Sequence, residues 1–258
     1  FSRPINFDEY ISMGDSDINV NDWSQVSTFL SKINHFSYYN DDKTFLLNAG
    51  KLESLTFGHG QVLNKYSNSY NYPIMQRSGF QIHVLPKNKM SYNFDFFISD
   101  LSQLFNGGGF FGYHLSYHIS KRLPLTIGYG FVSDLNQFSE LELDSKSSIK
   151  ARELDFQYKV YENKKFSVDF ISELDAIYFN QTINYFRYDD DTGSSEAGKK
   201  RKATWGTMFG SKLSLKNGHL FKIAFHSNDA LYTPYYFSST YDFEKVRTER
   251  FNDDNQLF

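Results

Sequence analysis

The chain contains no cysteine. That removes disulfide frameworks and thiolate metal sites, and it suits a compartment where stray thiols are a liability without identifying that compartment. It also lacks any run near the roughly 20 consecutive apolar residues that a membrane-spanning helix needs, and its mean hydropathy is −0.53, so a helical membrane protein is excluded. Positive charge is not in excess, with 27 Lys and Arg against 30 Asp and Glu for a formal net charge of −3. Without a basic face there is nothing to engage a phosphate backbone, and nucleic acid is not an expected partner. No linker is evident, and sheet-closed folds of 258 residues are commonly single domains. The chain starts at Phe1, with no initiator Met and no signal-peptide pattern; it reads as processed or as a fragment, which makes missing export signals uninformative.

What is abundant is aromatic: 27 Phe and 19 Tyr bring the aromatic share to 19%, so rings supply much of the apolar surface. These rings recur at period two, the repeat of a strand. In residues 91–99, Tyr92, Phe94, Phe96 and Ile98 oppose Asn93, Asp95 and Ser99, with Phe97 as the exception. In residues 152–161, Leu154, Phe156, Tyr158 and Val160 oppose Glu153, Asp155, Gln157 and Lys159. In residues 203–215, Trp205, Phe209, Leu213 and Leu215 oppose Gly206, Gly210, Lys212 and Ser214. Weaker versions at 44–50, 52–62, 78–85, 125–134, 166–179 and 219–226, together with 106–120, predict about ten strands.

The connections carry more information than the strands. They alternate between short (50–51, 86–89, 121–124, 162–165, 216–218) and long (64–77, 100–108, 135–150, 180–202), as expected when short turns lie at one face of a membrane and long loops at the other. At "KNGH" a two-residue turn would oppose Leu213 to Lys222. A three-residue loop of Lys216, Asn217 and Gly218 instead pairs Leu213 with Phe221 and Phe209 with Phe225, with Gly218 left-handed, and this is the predicted register. Residues 1–43 form an N-terminal segment in which Asp22 can cap a short helix carrying Trp23, Val26, Phe29, Leu30 and Ile33. The wall is assigned to 44–230. Residues 231–258 show no sustained period, and the absence of an alternating strand before the terminal aromatic Phe258 points to a truncated barrel.

Several constellations have alternative accounts. Gly107, Gly109 and Gly112 satisfy GxGxxG, but the residues that follow alternate instead of forming the helix on which a dinucleotide phosphate rests, and a glycine-rich hairpin tip explains them. His114 and His118 have HxxxH spacing, which on a strand separates them by roughly 13 Å; no metal is assigned. "DSDINVND" at 15–22 begins like a calcium loop, but Val20 stands where the turn glycine is required and no glutamate closes the loop. "DDDTG" from Asp189 and "KKRK" at 199–202 share one long connection, and the basic run is a candidate contact for lipopolysaccharide phosphates. The acids Glu153, Asp155, Asp169, Glu173 and Asp175 project to one polar face. Glycosidase chemistry needs a carboxylate pair at a suitable separation, but a charge ladder with Lys159, Lys212 and Lys222 accounts for these residues without a nucleophile or a substrate cleft.

The stretch "GKLESLTFGHGQVLNKYSNSYNYP" at 50–73, followed by "RSGFQIHV", together with "GGGFFGYHLSYHIS" and "LPLTIGYGFVSDLNQF" between 107 and 138, resembles a group of uncharacterised outer-membrane β-barrel proteins of diderm (Gram-negative) bacteria. The resemblance covers roughly the middle half of the chain, reads residues 50–60 as a glycine-flanked strand of the type G-K-L-x-x-x-T-x-G-x-G, and implies location and architecture only.

The expected fold is therefore all-β: an antiparallel up-and-down transmembrane β-barrel. Its candidate lumen-lining residues are Asp95, His114, His118, Glu153, Asp155, Lys159, Asp169, Glu173, Asp175 and Lys212. Its candidate lipid-facing residues are Phe156, Tyr158, Trp205 and Phe209. The expected function is that of a porin-like or structural bacterial outer-membrane protein with long extracellular loops. Its partners would be outer-membrane lipid, including lipopolysaccharide, and small solutes; neither a cofactor nor an enzymatic activity is expected. The rival is a soluble all-β binding module, lipocalin-like or carbohydrate-binding, with the opposite sidedness: aromatics inside and polar residues in water.

Overall fold

The structure is a computed structural model that describes residues 35–69, 77–85, 92–105, 108–120, 122–137, 147–183, 186–189, 194–197, 201–229 and 231–245. Its elements in chain order are β1 (His35–Tyr39), β2 (Phe45–Gly50), β3 (Leu63–Asn64), β4 (Gly79–Val84), β5 (Tyr92–Ile98), α1 (Leu101–Phe105), β6 (Phe110–His118), β7 (Leu125–Asp134), β8 (Ile149–Glu162), β9 (Phe166–Ile183), β10 (Phe186–Asp189), β11 (Ser194–Ala197), β12 (Arg201–Leu215), β13 (Leu220–Asn228), β14 (Phe237–Ser238) and α2 (Tyr241–Glu244). Ten of the strands form one antiparallel sheet in the order β1-β2-β4-β5-β6-β7-β8-β9-β12-β13. Alternating side chains can be separated only onto opposite faces of such a sheet, which is why these segments are strands. The chain is all-β in architecture, as expected.

The expected closed barrel is not formed: among the described residues β1 and β13 are the two edges of the sheet. Closure needs the first and last strands to pair. After β13 the chain instead turns inward, held by Asp229 N–H to Trp205 O (3.0 Å) and Tyr232 N–H to Asp229 O (2.9 Å). The expected strand at 52–62 is also not formed. Gly58 and Gly60 both take positive φ (49° and 84°), a conformation that breaks a ladder and that glycine adopts at least cost. The tight turn expected at 50–51 is accordingly the start of the long connection 51–78. The wall begins earlier than expected, because His35–Tyr39 pairs with β2 in the register His35↔Gly50 to Tyr39↔Leu46. The expected N-terminal helix lies outside the described residues.

The rhythm of the connections survives these changes. Residues 40–44, 85–91, 119–124, 163–165 and 216–219 connect strands at one end of the sheet, and 51–78, 99–109, 135–148 and 184–200 at the other. The β10–β11 hairpin extends the last of these long connections. The β12–β13 turn follows the predicted register, with Leu213↔Phe221 and Phe209↔Phe225 paired and Gly218 at φ 95°. The rings of Phe209 and Phe225 stack at 5.6 Å.

The inner face of the sheet is covered by two segments of the same chain. Leu52, Leu55, Phe57, Val62, Leu63 and Tyr66 from the 51–68 segment pack with Tyr232, Phe237 and Tyr241 against Phe97, Phe110, Val132, Ile149, Ala151 and Ile177 of the wall. Around Phe110 lie the rings of Tyr66 (4.8 Å), Phe97 (5.2 Å), Phe237 (5.0 Å) and Tyr241 (5.0 Å). Phe97, the exception to the β5 alternation, points inward to complete this aromatic core. A short parallel pairing of β14 with β3 joins the two inner segments. Part of the chain end expected to be irregular, up to Lys245, is thus built into the core.

Candidate functional site

The inner faces of β8 and β9 set acids opposite acids. The register pairs Glu153 with Asp175 and Asp155 with Glu173, an arrangement of like charges that destabilises a sheet unless something offsets it. With Asp169, these make five buried carboxylates. On the neighbouring strand β7, Gly128 pairs with Asp155 and Gly130 with Glu153. The carboxylates lie across these glycines so closely that a methyl group at either one would collide with them. Small residues on β7 thus let the acids stay beneath the inner segment.

That segment supplies part of the compensation. The two positive-φ glycines turn its backbone so that the N–H groups of His59 and Gln61 donate to the two oxygens of Glu173 (2.7 and 2.9 Å). The Gln61 side-chain amide donates to Asp175, and the Gln61 amide oxygen contacts His226 Nδ1 at 2.9 Å. Lys222 Nζ donates to His59 O (2.8 Å). His114 Nε2 lies 2.8 Å from Asp155 Oδ2 and 3.8 Å from Glu153 Oε1, under a stacked Phe57 ring at 5.6 Å. Neither oxygen of Glu153 has a hydrogen-bond partner. Asn68 fixes the segment to the wall, accepting from Leu52 N (2.8 Å) and donating to Gly50 O (3.1 Å) and Ser99 O (2.8 Å).

A second buried polar cluster is balanced in charge. Lys245 Nζ contacts Asp134 Oδ2 (3.0 Å) and Asp242 Oδ1 (3.3 Å), and Arg77 pairs with Asp242. Tyr66 and Tyr241 donate their hydroxyls to Asp242 (2.5 Å) and Asp134 (2.9 Å). Burial pushes the Asp242 carboxyl up, but Lys245 and Arg77 outweigh it and hold the group below its ordinary value. Burial and the Asp242 charge push the Tyr66 phenol well above its ordinary range, so it stays a donor.

Most of the expected inward-facing residues share this face. His114, Glu153, Asp155, Asp169, Glu173 and Asp175 are buried there, and Asp95, His118, Lys159 and Lys212 are half-buried. Asp95 pairs with His83 instead of joining the acidic cluster, and His118 sits 3.2 Å from Thr126 Oγ1. The ladder expected between acids and lysines is not built: Lys159 reaches outward to Glu162 (2.7 Å) and Lys212 to the Gln157 amide (3.4 Å). Tyr158, Trp205 and Phe209 are exposed at 41%, 53% and 50%, on the face opposite to the acids. Phe156 is half-buried on that same outer face. A cavity of about 240 Å³ lies between residues 53–57 and the wall, lined in part by Thr56, Gln81, His83 and Asp95.

Sequence reasoning missed His59, Gln61, Asn68, Arg77, Asp134, Asp242 and Lys245. The glycines of "FGHG" carried a signal, since Gly58 and Gly60 two residues apart argue against a continuous strand. The pairings of Asp242 with Arg77 and of Lys245 with Asp134 had none, because these partners lie far apart along the chain. The chain matches no protein-family model, and no curated protein is significantly similar to it.

Proposed function

We propose that this chain is the wall and internal plug of a bacterial outer-membrane β-barrel, with a structural or assembly role in preference to open diffusion. The observation that carries the reading is the sidedness of the sheet. Leu115, Tyr117, Tyr129, Tyr158, Phe170, Leu174, Trp205, Phe209, Phe221, Ile223 and Phe225 are all exposed, while the carboxylates are buried on the other face. Side chains of this size, each keeping about half its surface, leave an apolar area on the order of 1,000 Å², beyond the few hundred usual for a soluble monomer. This sidedness is the reverse of what a lipocalin-like or carbohydrate-binding module requires.

The dimensions agree. On β9 the outer positions from Phe166 to Tyr178 are Phe, Val, Phe, Ser, Leu, Ala and Tyr. At roughly 3.3 Å per residue and a tilt of about 40°, they cover about 30 Å along the membrane normal, enough for the apolar band of a spanning barrel. Near the long-connection end, the Arg152 guanidinium lies 5.6 Å from the Tyr178 ring centre, the kind of cation and aromatic pair that suits a lipid headgroup boundary. In lipid the free backbone groups of β1 and β13 would need partners, so the reading requires these edges to be paired in the assembled protein. The filled inner face argues against wide-pore diffusion, and the cavity of about 240 Å³ beside residues 53–57 is of a size to hold water or a small solute.

The chain has two tryptophans, Trp23 and Trp205, so W23F leaves Trp205 as the single reporter. In vesicles of brominated phospholipid its fluorescence is expected to be quenched, while an aqueous quencher has little effect. Full access to the aqueous quencher, with no quenching by lipid, would overturn the reading. Planar-bilayer recordings are expected to show no large steady conductance.

A further inference from the structure

We propose that Glu153, Glu173 and Asp175 form a binding site for one hard divalent cation, with the coordination chemistry of calcium, between the wall and the inner segment. One carboxylate oxygen from each residue lies within 4.8 Å of the others, a spacing that a single ion can bridge. The three residues are 2%, 0% and 5% exposed. Acidic residues alone would not make a site; the independent observation is the Glu153 side chain. It is 1% exposed and directed into the cluster, yet neither of its oxygens receives a hydrogen bond. Asp175 Oδ1 lacks a donor as well.

The surrounding cations are committed elsewhere. The imidazole of His114 makes its short contact with Asp155, at 2.8 Å, and stays 3.8 Å from Glu153. The ammonium groups of Lys212 and Lys222 bond to Gln157 and to the His59 carbonyl. Among the described residues no Lys or Arg forms an ion pair with any of the three acids. Burying adjacent carboxylates without a counter-charge is costly, and a divalent ion removes most of that cost.

The donor set selects the ion. Three carboxylates offer up to six oxygens and neither sulfur nor nitrogen. That suits calcium, which accepts six to eight oxygens, including bidentate carboxylates, at about 2.3–2.6 Å. Magnesium demands near-octahedral geometry and keeps its waters, for which a covered site has little room. The other acidic grouping, His114 with Glu153 and Asp155, is already held by the His114 contact and needs no ion. Glu173 also anchors the backbone at His59 and Gln61, so an ion on its carboxylate would fasten the inner segment to β8 and β9. The inference stands whether or not the outer face contacts lipid.

The test uses the full chain in nonionic detergent, stripped with a chelator and then given calcium alone or magnesium alone. Equilibrium dialysis is expected to show one calcium per chain, with a calcium-dependent rise in Tm that magnesium reproduces poorly. E153Q keeps the shape and removes one charge; it is expected to weaken calcium binding at least about tenfold and to lose the rise, while its calcium-free Tm is no lower than that of wild type. If E153Q fails to fold, terbium luminescence in the wild-type protein replaces it. Tyr232, which interacts with Asp175, is placed to sensitise the ion, and calcium should abolish the signal by competition. No calcium bound at millimolar concentration, a full calcium response in E153Q, or a Tm that changes with pH but does not rise when calcium is added would each overturn the proposal.

Discussion

The two buried polar clusters on the inner face differ in one respect that separates their roles. In the cluster of Arg77, Asp134, Asp242 and Lys245, two cations meet two anions, and two tyrosine hydroxyls add hydrogen bonds. In the cluster of β8 and β9, five buried carboxylates face one imidazole at ion-pair distance. A balanced cluster needs nothing from outside and acts as a clamp, joining α2 and the inner segment to the end of β7. An unbalanced one persists only if protons, an ion or a partner complete it. Charge balance, and not burial, therefore distinguishes fastening from candidate binding in this fold.

The largest effect should come from unbalancing the clamp. Lys245→Met removes a fully buried ammonium and leaves Asp134 without a counter-charge, held by the Tyr241 hydroxyl and the Asn136 N–H, while Asp242 keeps Arg77. Breaking a buried pair on one side typically costs about 3–5 kcal/mol, so the denaturant midpoint of the full chain should fall clearly. A loss below about 1 kcal/mol would mean that the clamp contributes little and that the comparison between the clusters is unsound.

The sequence made one of these clusters legible and hid the other. The acids of β8 and β9 alternate with Leu154, Phe156, Tyr158, Phe170 and Leu174, so period two alone assigned them to a shared face. The register at the last turn was readable because a one-residue slip would have opposed Leu213 to Lys222. The clamp was not readable, because Asp134 and Lys245 are 111 positions apart and no local pattern relates them. The 51–68 segment was misread for a physical reason. Its apolar residues face a core as those of a strand do, whereas Ser54, Gly58, Gly60 and Lys65 all take positive φ, and of these only the glycines could have signalled it in the sequence.

A smaller effect is expected from acid. The folded-state value of Asp242 is depressed, with burial opposed and outweighed by Lys245 and Arg77. A depressed carboxyl contributes stability that is fully present above its unfolded value, near 3.9, and is lost as pH falls through the lower folded value. Stability of the full chain should therefore decline below about pH 4. Asp242→Asn should be less stable at neutral pH and should lose less on acidification than the wild type. Parallel acid profiles for the two proteins would remove Asp242 from the clamp.

The smallest effect sharpens the comparison from within the acidic cluster. Asp169 is buried, and its Oδ1 lacks a donor, but it is not among the three carboxylates that converge. Its register neighbours Lys159 and Lys212 direct their ammonium groups to other partners. Asp169→Asn removes a buried charge and introduces an amide with unmet donors, two changes that offset each other. The expected net change in stability is within about 1 kcal/mol, and the calcium response should equal that of the wild type. If Asp169→Asn abolished the response as Glu153→Gln is expected to, the acids would be acting as a diffuse negative field. An unchanged response, beside a lost one in Glu153→Gln, would mean that three particular carboxylates hold the ion, because among the described residues theirs is the one all-carboxylate group whose oxygens converge.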